Sequence, residues 1–214
     1  MKAEQTLELF PVDHAESASL RIERKCWARG YSTIAGVDEA GRGCLCGPVV
    51  AAAVILPIEH QIPGVKDSKK LTHTTRVELA EIIREEAIAV ATGSCSPQEI
   101  DQLNILQAAL EAMRRAVLAL NTEPDHLLID GNVCFSNPPV KTRTVIKGDA
   151  RCHSIAAASI IAKTSRDAAM QKLHAENPMY GWDTNMGYPT QAHYQAIAQF
   201  GLTAHHRRSF RLYS

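Results

Sequence analysis

Two adjacent carboxylates, Asp38 and Glu39, follow an apolar segment and precede a turn that contains Gly41 and Gly43. Successive strand residues point to opposite faces, so neighbouring acids can approach one object only where the strand ends and the backbone bends. The glycines permit such a bend and let a ligand come close to the backbone. Nearby carboxylates raise each other's pKa unless a cation lies between them, and Mg²⁺ and Mn²⁺ favour carboxylate oxygens. The stretch therefore predicts a metal site.

Other interpretations of this stretch are weaker. The spacing of Gly36, Gly41 and Gly43 resembles that of a phosphate-binding loop, but the required Lys and Ser or Thr are missing and two negative charges replace them. A dinucleotide-binding turn is excluded because the next segment, 48–56, has the pattern of a strand and not of a helix. On this stretch alone, a structural hairpin with a solvated acidic tip stays open.

Two further acids repeat the theme later in the chain. Asp130 follows the apolar run 126–129 and precedes a glycine, and Asp149 follows Gly148. If the strands that carry Asp38 and Asp130 are neighbours, about 4.8 Å apart, their side chains can share one cation. Four carboxylates match the charge of two divalent ions about 3.5–4 Å apart, which is the arrangement that clamps a phosphate during in-line displacement.

Periodicity and end signals predict the elements that position these acids. Strands are expected at 31–38, 48–56, 87–94, 126–130 and 141–145, the first two of them antiparallel. Helices are expected to end near Gly30 and to span about 72–86, 96–120, 154–174 and 191–200. Thr72 is the expected cap of the second helix, and Ser96-Pro97-Gln98-Glu99 has the form of a capping box. This order fits an α/β fold with a mixed sheet.

Composition limits the class of protein. The chain has 214 residues, 45% hydrophobic and 21% charged, which suits one globular domain. No apolar run approaches the length of a membrane span and the first residues are polar, so we expect a cytoplasmic location and no membrane. The cysteines at 26, 44, 46, 95, 134 and 152 lack the paired spacing of a zinc site, which predicts reduced, mostly buried thiols.

Charge is distributed unevenly along the chain. Lys and Arg balance Asp and Glu overall, at 23 each, but residues 141–214 carry ten basic side chains against four acidic ones. The first 140 residues carry 13 basic against 19 acidic. The asymmetry predicts a basic surface for nucleic acid in the C-terminal third, and an ordinary solvated face is the alternative.

Seven stretches of the chain resemble bacterial ribonuclease HII, in the family's order, from about residue 31 to 211. They are Gly36-Val-Asp38-Glu39-Ala-Gly41-Arg42-Gly43, Asp67-Ser68-Lys69-Lys70-Leu71, Leu128-Ile-Asp130-Gly131-Asn132, Lys147-Gly148-Asp149, Ser154-Ile155-Ala156-Ala157-Ala158-Ser159-Ile160, Gly187-Tyr188-Pro189-Thr190 and His206-Arg207-Arg208-Ser209-Phe210. The resemblance implies a ribonuclease H-like α/β fold, with a five-stranded mixed sheet flanked by helices and a helical C-terminal extension. We expect a tail and short helix over 1–30, the catalytic domain over 31–185 and a basic extension over 186–214.

The implied activity is that of an endonuclease on RNA–DNA hybrids. It cuts the RNA strand, and it also cuts on the 5′ side of single ribonucleotides embedded in duplex DNA, which serves ribonucleotide and primer removal in replication and repair. By this resemblance the catalytic acids hold two Mg²⁺ or Mn²⁺ ions and no histidine base is required. These acids are Asp38, Glu39, Asp130 and Asp149.

The resemblance also implies how the substrate is held. The 2′-hydroxyl distinguishes RNA from DNA, and in the family a Gly-Arg-Gly backbone contacts that group while a tyrosine packs against the following deoxyribose. The matching residues are Gly41, Arg42, Gly43 and Tyr188. Contacts to the phosphate backbone are expected from Ser68, Lys69 and Lys70, which precede a helix, and from Arg207 and Arg208.

Partners and alternatives complete the expectations. Gln5-Thr-Leu-Glu-Leu-Phe10 resembles the peptide with which bacterial proteins dock on the replication sliding clamp, and an apolar patch that packs on the domain is the alternative. We expect a monomer.

Two alternative functions stay open. A junction-resolving or DNA-only nuclease of the same fold would share the acids but ignore the 2′-hydroxyl. A non-catalytic hybrid-binding module would not need four acids.

Overall fold

The computed structural model describes residues 18–66 and 68–213, without the side chain of Lys70. The peptide from Gln5 to Phe10 lies outside these residues. The sheet consists of β1 (Ile34–Ala40), β2 (Val49–Ile55), β3 (Ala89–Cys95), β4 (His126–Asp130) and β5 (Lys141–Val145). Its order is β3-β2-β1-β4-β5; β1 pairs antiparallel with β2 and parallel with β4. This confirms the predicted five-stranded mixed sheet and the adjacency of the strands that carry Asp38 and Asp130.

Seven helices are assigned among the described residues. They are α1 (Arg21–Trp27), α2 (His73–Glu86), α3 (Pro97–Leu103), α4 (Ile105–Leu118), α5 (His153–Glu176), α6 (Trp182–Asn185) and α7 (Gln191–Phe200). The predicted caps are confirmed: Thr72 accepts a hydrogen bond from the backbone N–H of Thr75, and Ser96 and Glu99 form a capping box. None of these helices is long and apolar enough to cross a bilayer.

The helices cover both faces of the sheet. Odd-numbered residues of β2, such as Ala51 and Ala53, pack with α4, whereas Ala52 and Val54 pack with α2 and α5. The alternation follows from the strand period of two, because both faces of a sheet covered by helices must be apolar. Gly36 is required on the α5 side, since a Cβ there would meet the backbone of Ser154. Small residues therefore let α5 pack closely on β1.

Two local predictions are wrong. The segment 96–120 is not one helix, because Asn104 takes a positive φ of 69° and separates α3 from α4. β1 does not end at residue 38 but continues to Ala40, so Asp38 and Glu39 lie within the strand and point to opposite faces of the sheet. Asp38 and Glu39 therefore do not converge on one face of the sheet. The acids that approach Asp38 come from β4 and from the turn before α5.

Candidate active site

Asp38 lies on the α5 face of β1, in the same alternation as Gly36. Its side chain is 5% exposed. The Asp38 carboxylate accepts a hydrogen bond of 2.7 Å from the backbone N–H of Glu39, and the nearby hydroxyl of Ser159 on α5 acts to lower the pKa of Asp38. Glu39 points to the other face, where Arg42 Nη1 lies 3.2 Å from Glu39 Oε1.

Asp130 ends the neighbouring strand. The parallel register places Val37 opposite Ile129, so Asp38 and Asp130 occupy matching positions one residue further along their strands. Asp130 Oδ1 accepts a hydrogen bond of 2.6 Å from the backbone N–H of Gly148. That contact joins the strand end to the turn that carries the next acid.

Asp149 lies in a 3₁₀ turn, Gly148–Ala150, directly before α5. It is 8% exposed, and its Oδ2 lies 3.5 Å from Nζ of Lys69. Backbone hydrogen bonds stabilise the turn, since the N–H groups of Arg151 and Cys152 both donate to the carbonyl of Gly148. Three acids from distant parts of the chain therefore meet at the carboxyl ends of β1 and β4.

The acids perturb each other's protonation. Burial raises the pKa of Asp38 well above its usual range, and the negative charges of Asp130 and Glu39 raise it further. Burial also raises the pKa of Asp130 to about 6, assisted by Asp149 and Glu39 and opposed by the hydrogen bond from Gly148. Such crowding of negative charge is stabilised by a cation.

The donor set fits hard divalent ions in its chemistry, because all four groups are carboxylates. As the side chains stand, no three Asp, Glu, His or Cys residues within 18–66 and 68–213 form a group that could hold a metal ion. Two of the carboxylates face cations of the chain, Glu39 toward Arg42 and Asp149 toward Lys69. Binding of ions would thus require Glu39 and Asp149 to exchange their present partners.

The glycine loop after β1 borders the acids. Gly41 has a φ of +95°, and a Cβ there would clash with the Arg166 side chain, whereas a Cβ at Gly43 would meet nothing within 4 Å. Arg166 is fully buried and donates to the carbonyls of Cys46, Pro48 and Met186 at 2.9–3.2 Å. The buried side chain of Arg166 therefore holds the loop in place, whereas the backbone at Gly43 faces open space.

The structure brings Tyr188 to this loop. Its side chain lies beside Cys44, directly after Gly43, and the residue is 41% exposed. Nζ of Lys163 lies 5.7 Å from the centre of the Tyr188 ring. Tyr188 and the glycine loop, predicted to test opposite sides of one nucleotide, therefore share one surface. Cys44 and Cys46 are buried, as predicted for most of the thiols.

The residues that were predicted to contact phosphate lie in different environments. Ser68 is buried, and its Oγ lies 2.9 Å from Ser159 Oγ, so it supports the site from the inside. The Lys69 side chain is 81% exposed beside Asp149. The side chain of Lys70 lies outside the description.

The two arginines near the C-terminus also differ. Arg207 is fully buried and donates to the carbonyls of Gly47 and Arg42 at 3.0 Å each. It therefore holds the glycine loop rather than lying on the surface, where a phosphate contact was expected. Arg208 is exposed, and its backbone N–H donates to Asp101 at 2.9 Å.

Several supporting residues were missed from the sequence. Ser159, Arg166 and Asp167 lie on α5 among buried residues that are mostly apolar. Their signal is the type of residue: a buried charged side chain is rare unless it is paired, so an adjacent Arg and Asp on such a helix indicates fixed partners. Which partners they have depends on packing between distant segments.

Comparison with known proteins identifies the family of this chain. Residues 35–213 match the family described as Ribonuclease HII. Ribonuclease HII of Salinibacter ruber is 54% identical over 197 residues, which cover 91% of this chain and 98% of that protein.

The fold is shared with solved structures at more than 25% identity. Ribonuclease H2 from Pyrococcus horikoshii has a TM-score of 0.72 and 27% identity, over 84% of this chain and 94% of that chain. Ribonuclease HII from Archaeoglobus fulgidus, solved as a complex with PCNA, has a TM-score of 0.68 and 26% identity, over 85% and 96% of the two chains. The chain therefore belongs to the ribonuclease HII family and is a ribonuclease H, a divalent-metal-dependent endonuclease that acts on RNA–DNA hybrids.

Proposed function

We propose that this enzyme, besides cutting the RNA strand of hybrids, cuts duplex DNA on the 5′ side of single embedded ribonucleotides. The observation that carries the proposal is that Asp38 and Asp130 lie on neighbouring strands, and that the loop directly after β1 presents the open backbone of Gly43. A phosphate at the acids and a ribose at the loop would then belong to the same nucleotide junction. The cellular role that follows is removal of ribonucleotides and primers in replication and repair.

We assign the catalytic role to Asp38, Glu39, Asp130 and Asp149, which would hold two divalent ions, Mg²⁺ or Mn²⁺. Bound ions of this kind lower the pKa of a water molecule and neutralise charge on the leaving oxygen. The chain's own part is to fix the carboxylates: the backbone N–H of Glu39 donates to Asp38 and that of Gly148 donates to Asp130. Burial keeps bulk water away from them and strengthens their attraction for a cation.

Selectivity would come from the surface formed by the glycine loop and Tyr188. The 2′-hydroxyl can donate and accept, so backbone groups of Gly41, Arg42 and Gly43 can detect it without a side chain. The ring of Tyr188 then packs against the next sugar. Lys69, exposed beside Asp149, supplies a positive charge for the phosphate, and Arg208 can do so further along the strand.

The buried members of the predicted set act indirectly in this proposal. Ser68 supports the turn that carries Lys69, and Arg207 orients the carbonyl of Arg42. Lys70 is assigned to the phosphate on the sequence resemblance alone. We also propose a monomer.

Docking on the replication clamp through Gln5 to Phe10 is part of the proposal, although these residues lie outside the described chain. The clamp complex of the archaeal relative supports such a partnership in the family. The test is clamp binding by the wild type and by Leu9→Ala plus Phe10→Ala. Equal binding by both proteins would refute the role of this peptide.

The main test is cleavage of three duplexes: DNA with one ribonucleotide, a uniform RNA–DNA hybrid and all-DNA. Each is incubated with Mg²⁺, Mn²⁺ or EDTA. We expect metal-dependent cleavage 5′ of the ribonucleotide, and Asp38→Asn should reduce it by roughly three orders of magnitude. Glu85→Gln, which removes an exposed acid from α2, should retain wild-type activity.

The other outcomes identify the alternatives. Cleavage of the all-DNA duplex would indicate a nuclease that ignores the 2′-hydroxyl. Binding of the hybrid without cleavage would indicate a non-catalytic module. Cleavage of the hybrid but not of the single-ribonucleotide duplex would refute the finer part of the proposal and leave the ribonuclease H activity.

A further inference from the structure

A buried ion-pair network on α5 lies between the two surfaces that we assign to the substrate. Its centre is Asp167, which is 3% exposed. Lys163 Nζ donates to Asp167 Oδ1 at 2.7 Å, and Arg76 Nη1 donates to Asp167 Oδ2 at 3.1 Å. One carboxylate thus pairs with a cation on each side, from its own helix and from α2.

The first branch of the network reaches Tyr188. Lys163 is one helical turn before Asp167, and only 19% of its side chain is exposed. Its Nζ lies 5.7 Å from the centre of the Tyr188 ring, within the range of a cation–π contact. Because Asp167 fixes the ammonium group, it also limits where the ring can lie.

The second branch reaches the turn that presents Lys69. Arg76 Nε donates to the carbonyl of Ser68 at 3.3 Å, and Arg76 Nη2 donates to the carbonyl of Leu71 at 3.1 Å. These carbonyls lie at the two ends of the 3₁₀ turn Ser68–Lys70. The third nitrogen of the planar guanidinium, Nη1, is held by Asp167, so the orientation of the turn depends on that carboxylate.

We propose that Asp167 is a positioning residue for substrate recognition, which holds the Tyr188 ring and the Ser68–Lys70 turn at one fixed spacing. The ring would meet the sugar and the turn would meet a phosphate, so the spacing is matched to the nucleotide junction. This inference rests on the proposed roles of Tyr188 and of the turn. A buried ion pair is a weak source of stability, because desolvation offsets the attraction, but it does fix geometry when both partners are also held elsewhere.

The test is a double-mutant cycle on the single-ribonucleotide duplex, with Asp167→Asn, Tyr188→Ala and the combination, measured as kcat and KM. Asp167→Asn should raise KM about tenfold with little change in kcat, because the metal-binding acids keep their own contacts. In the Tyr188→Ala background the same change should raise KM only about threefold, since the branch through Lys163 has lost its target. Lys172→Met, at an exposed position of α5, should leave KM unchanged in both backgrounds.

A role in stability alone predicts a different pattern. It would lower the active fraction by the same factor in both backgrounds, and either that result or an unchanged KM in Asp167→Asn would overturn the inference. Circular dichroism at the assay temperature establishes that each variant is folded. If Asp167→Asn does not fold, Lys163→Met replaces it: KM should rise in the wild-type background and not with Tyr188→Ala, and equal effects would overturn the inference.

Failure of the proposed function can be distinguished from failure of this inference. If the proposed function is wrong, the wild-type enzyme does not cleave the duplex with a single ribonucleotide. The same cycle is then measured on the uniform hybrid, which the enzyme cuts as a ribonuclease H. If Asp167→Asn raises KM for the hybrid by the same factor with and without Tyr188→Ala, the positioning role of Asp167 itself is overturned.

Discussion

Gly41 and Gly43 lie two residues apart and carry different constraints. Gly41 has a φ of +95° and lies against the side chain of Arg166, so its requirement is internal. Gly43 faces open space, so nothing within the folded chain demands a glycine there by contact. When no contact within the folded chain requires a glycine, and that glycine follows an acidic site, the missing side chain indicates close approach by a ligand.

We therefore expect opposite results from two alanine substitutions. Gly41→Ala should lower the free energy of unfolding by about 1–3 kcal/mol, because of the positive φ and the clash with Arg166. Gly43→Ala should change it by less than about 0.5 kcal/mol but reduce kcat/KM on the single-ribonucleotide duplex by at least about tenfold. Urea denaturation and cleavage kinetics measure the two quantities. Normal cleavage by Gly43→Ala would exclude close substrate approach at that residue.

The candidate acids could be predicted from the sequence because their signal is local. An acid that follows an apolar strand and precedes a glycine is visible in a few residues, as at Asp130. The burial of Arg207 and the contacts of Arg166 could not be predicted in this way. Both arginines hold carbonyls of the loop after β1, at sequence separations above one hundred residues. Composition marked the C-terminal third as basic but did not separate interior from surface cations.

At the scale of elements, the main difference from expectation is the division between α3 and α4. Apolar residues continue at helical spacing across it, because Ile100 of α3 and Ala108 of α4 pack into the same core. Periodicity therefore predicts one helix. The backbone turns at Asn104, whose side-chain Oδ1 accepts from the N–H groups of Leu106 and Gln107 at 3.0 and 3.1 Å and so caps α4.

Asn104 should accordingly be sensitive to the type of replacement. Asn104→Ala loses the cap and places a Cβ residue without a compensating hydrogen bond at positive φ, so we expect a loss of about 1–3 kcal/mol of stability. Asn104→Gly relieves the backbone and loses only the cap, and Asn104→Asp keeps the cap oxygen. Unfolding in urea should therefore rank the variants Asp, Gly, Ala in order of decreasing stability. Ala equal to Gly would show that the backbone angle carries no cost.

At the scale of the whole molecule, α5 connects the edge of the sheet that carries the candidate acids to the C-terminal segment. Its first turns lie beside Asp149, and Met170 near its other end packs in a cluster with Trp182 and Ile197. The order of strands and helices could be predicted, because each signal is confined to one element. The packing of the C-terminal segment could not, since it depends on a ring cluster from separate segments, formed by Tyr180, Trp182, His193 and His206.

His206 belongs to this ring cluster and is 2% exposed. Its ring centre lies 5.1 Å from that of Tyr180 and 5.5 Å from that of Trp182. Its Nδ1 accepts from the backbone N–H of Thr203 at 3.0 Å. Burial lowers the pKa of His206 to about 4, assisted by His193 and His205. A neutral ring is therefore part of the folded state.

Acid should consequently weaken the fold through His206. Between pH 4 and 6.5 the unfolded chain binds more protons at this residue than the folded chain, so stability is present at pH 7 and falls as the pH falls. From pH 7 to pH 4.5 we expect the loss at His206 to be about 2 kcal/mol. His206→Asn keeps an acceptor near the Nδ1 position and cannot become charged. It should be less stable than the wild type at pH 7, because the ring contacts are lost, and this difference should shrink by about 2 kcal/mol at pH 4.5.

Urea denaturation of both proteins at several pH values in EDTA measures this difference. Burial also lowers the pKa of His126 and His153 to about 4, but these residues titrate in both proteins and cancel when the two curves are subtracted. The acids of the candidate active site cancel in the same way. A difference that stays constant from pH 7 to pH 4.5 would mean that His206 accepts a proton without disturbing the cluster. The attachment of the C-terminal segment would then not depend on a neutral ring.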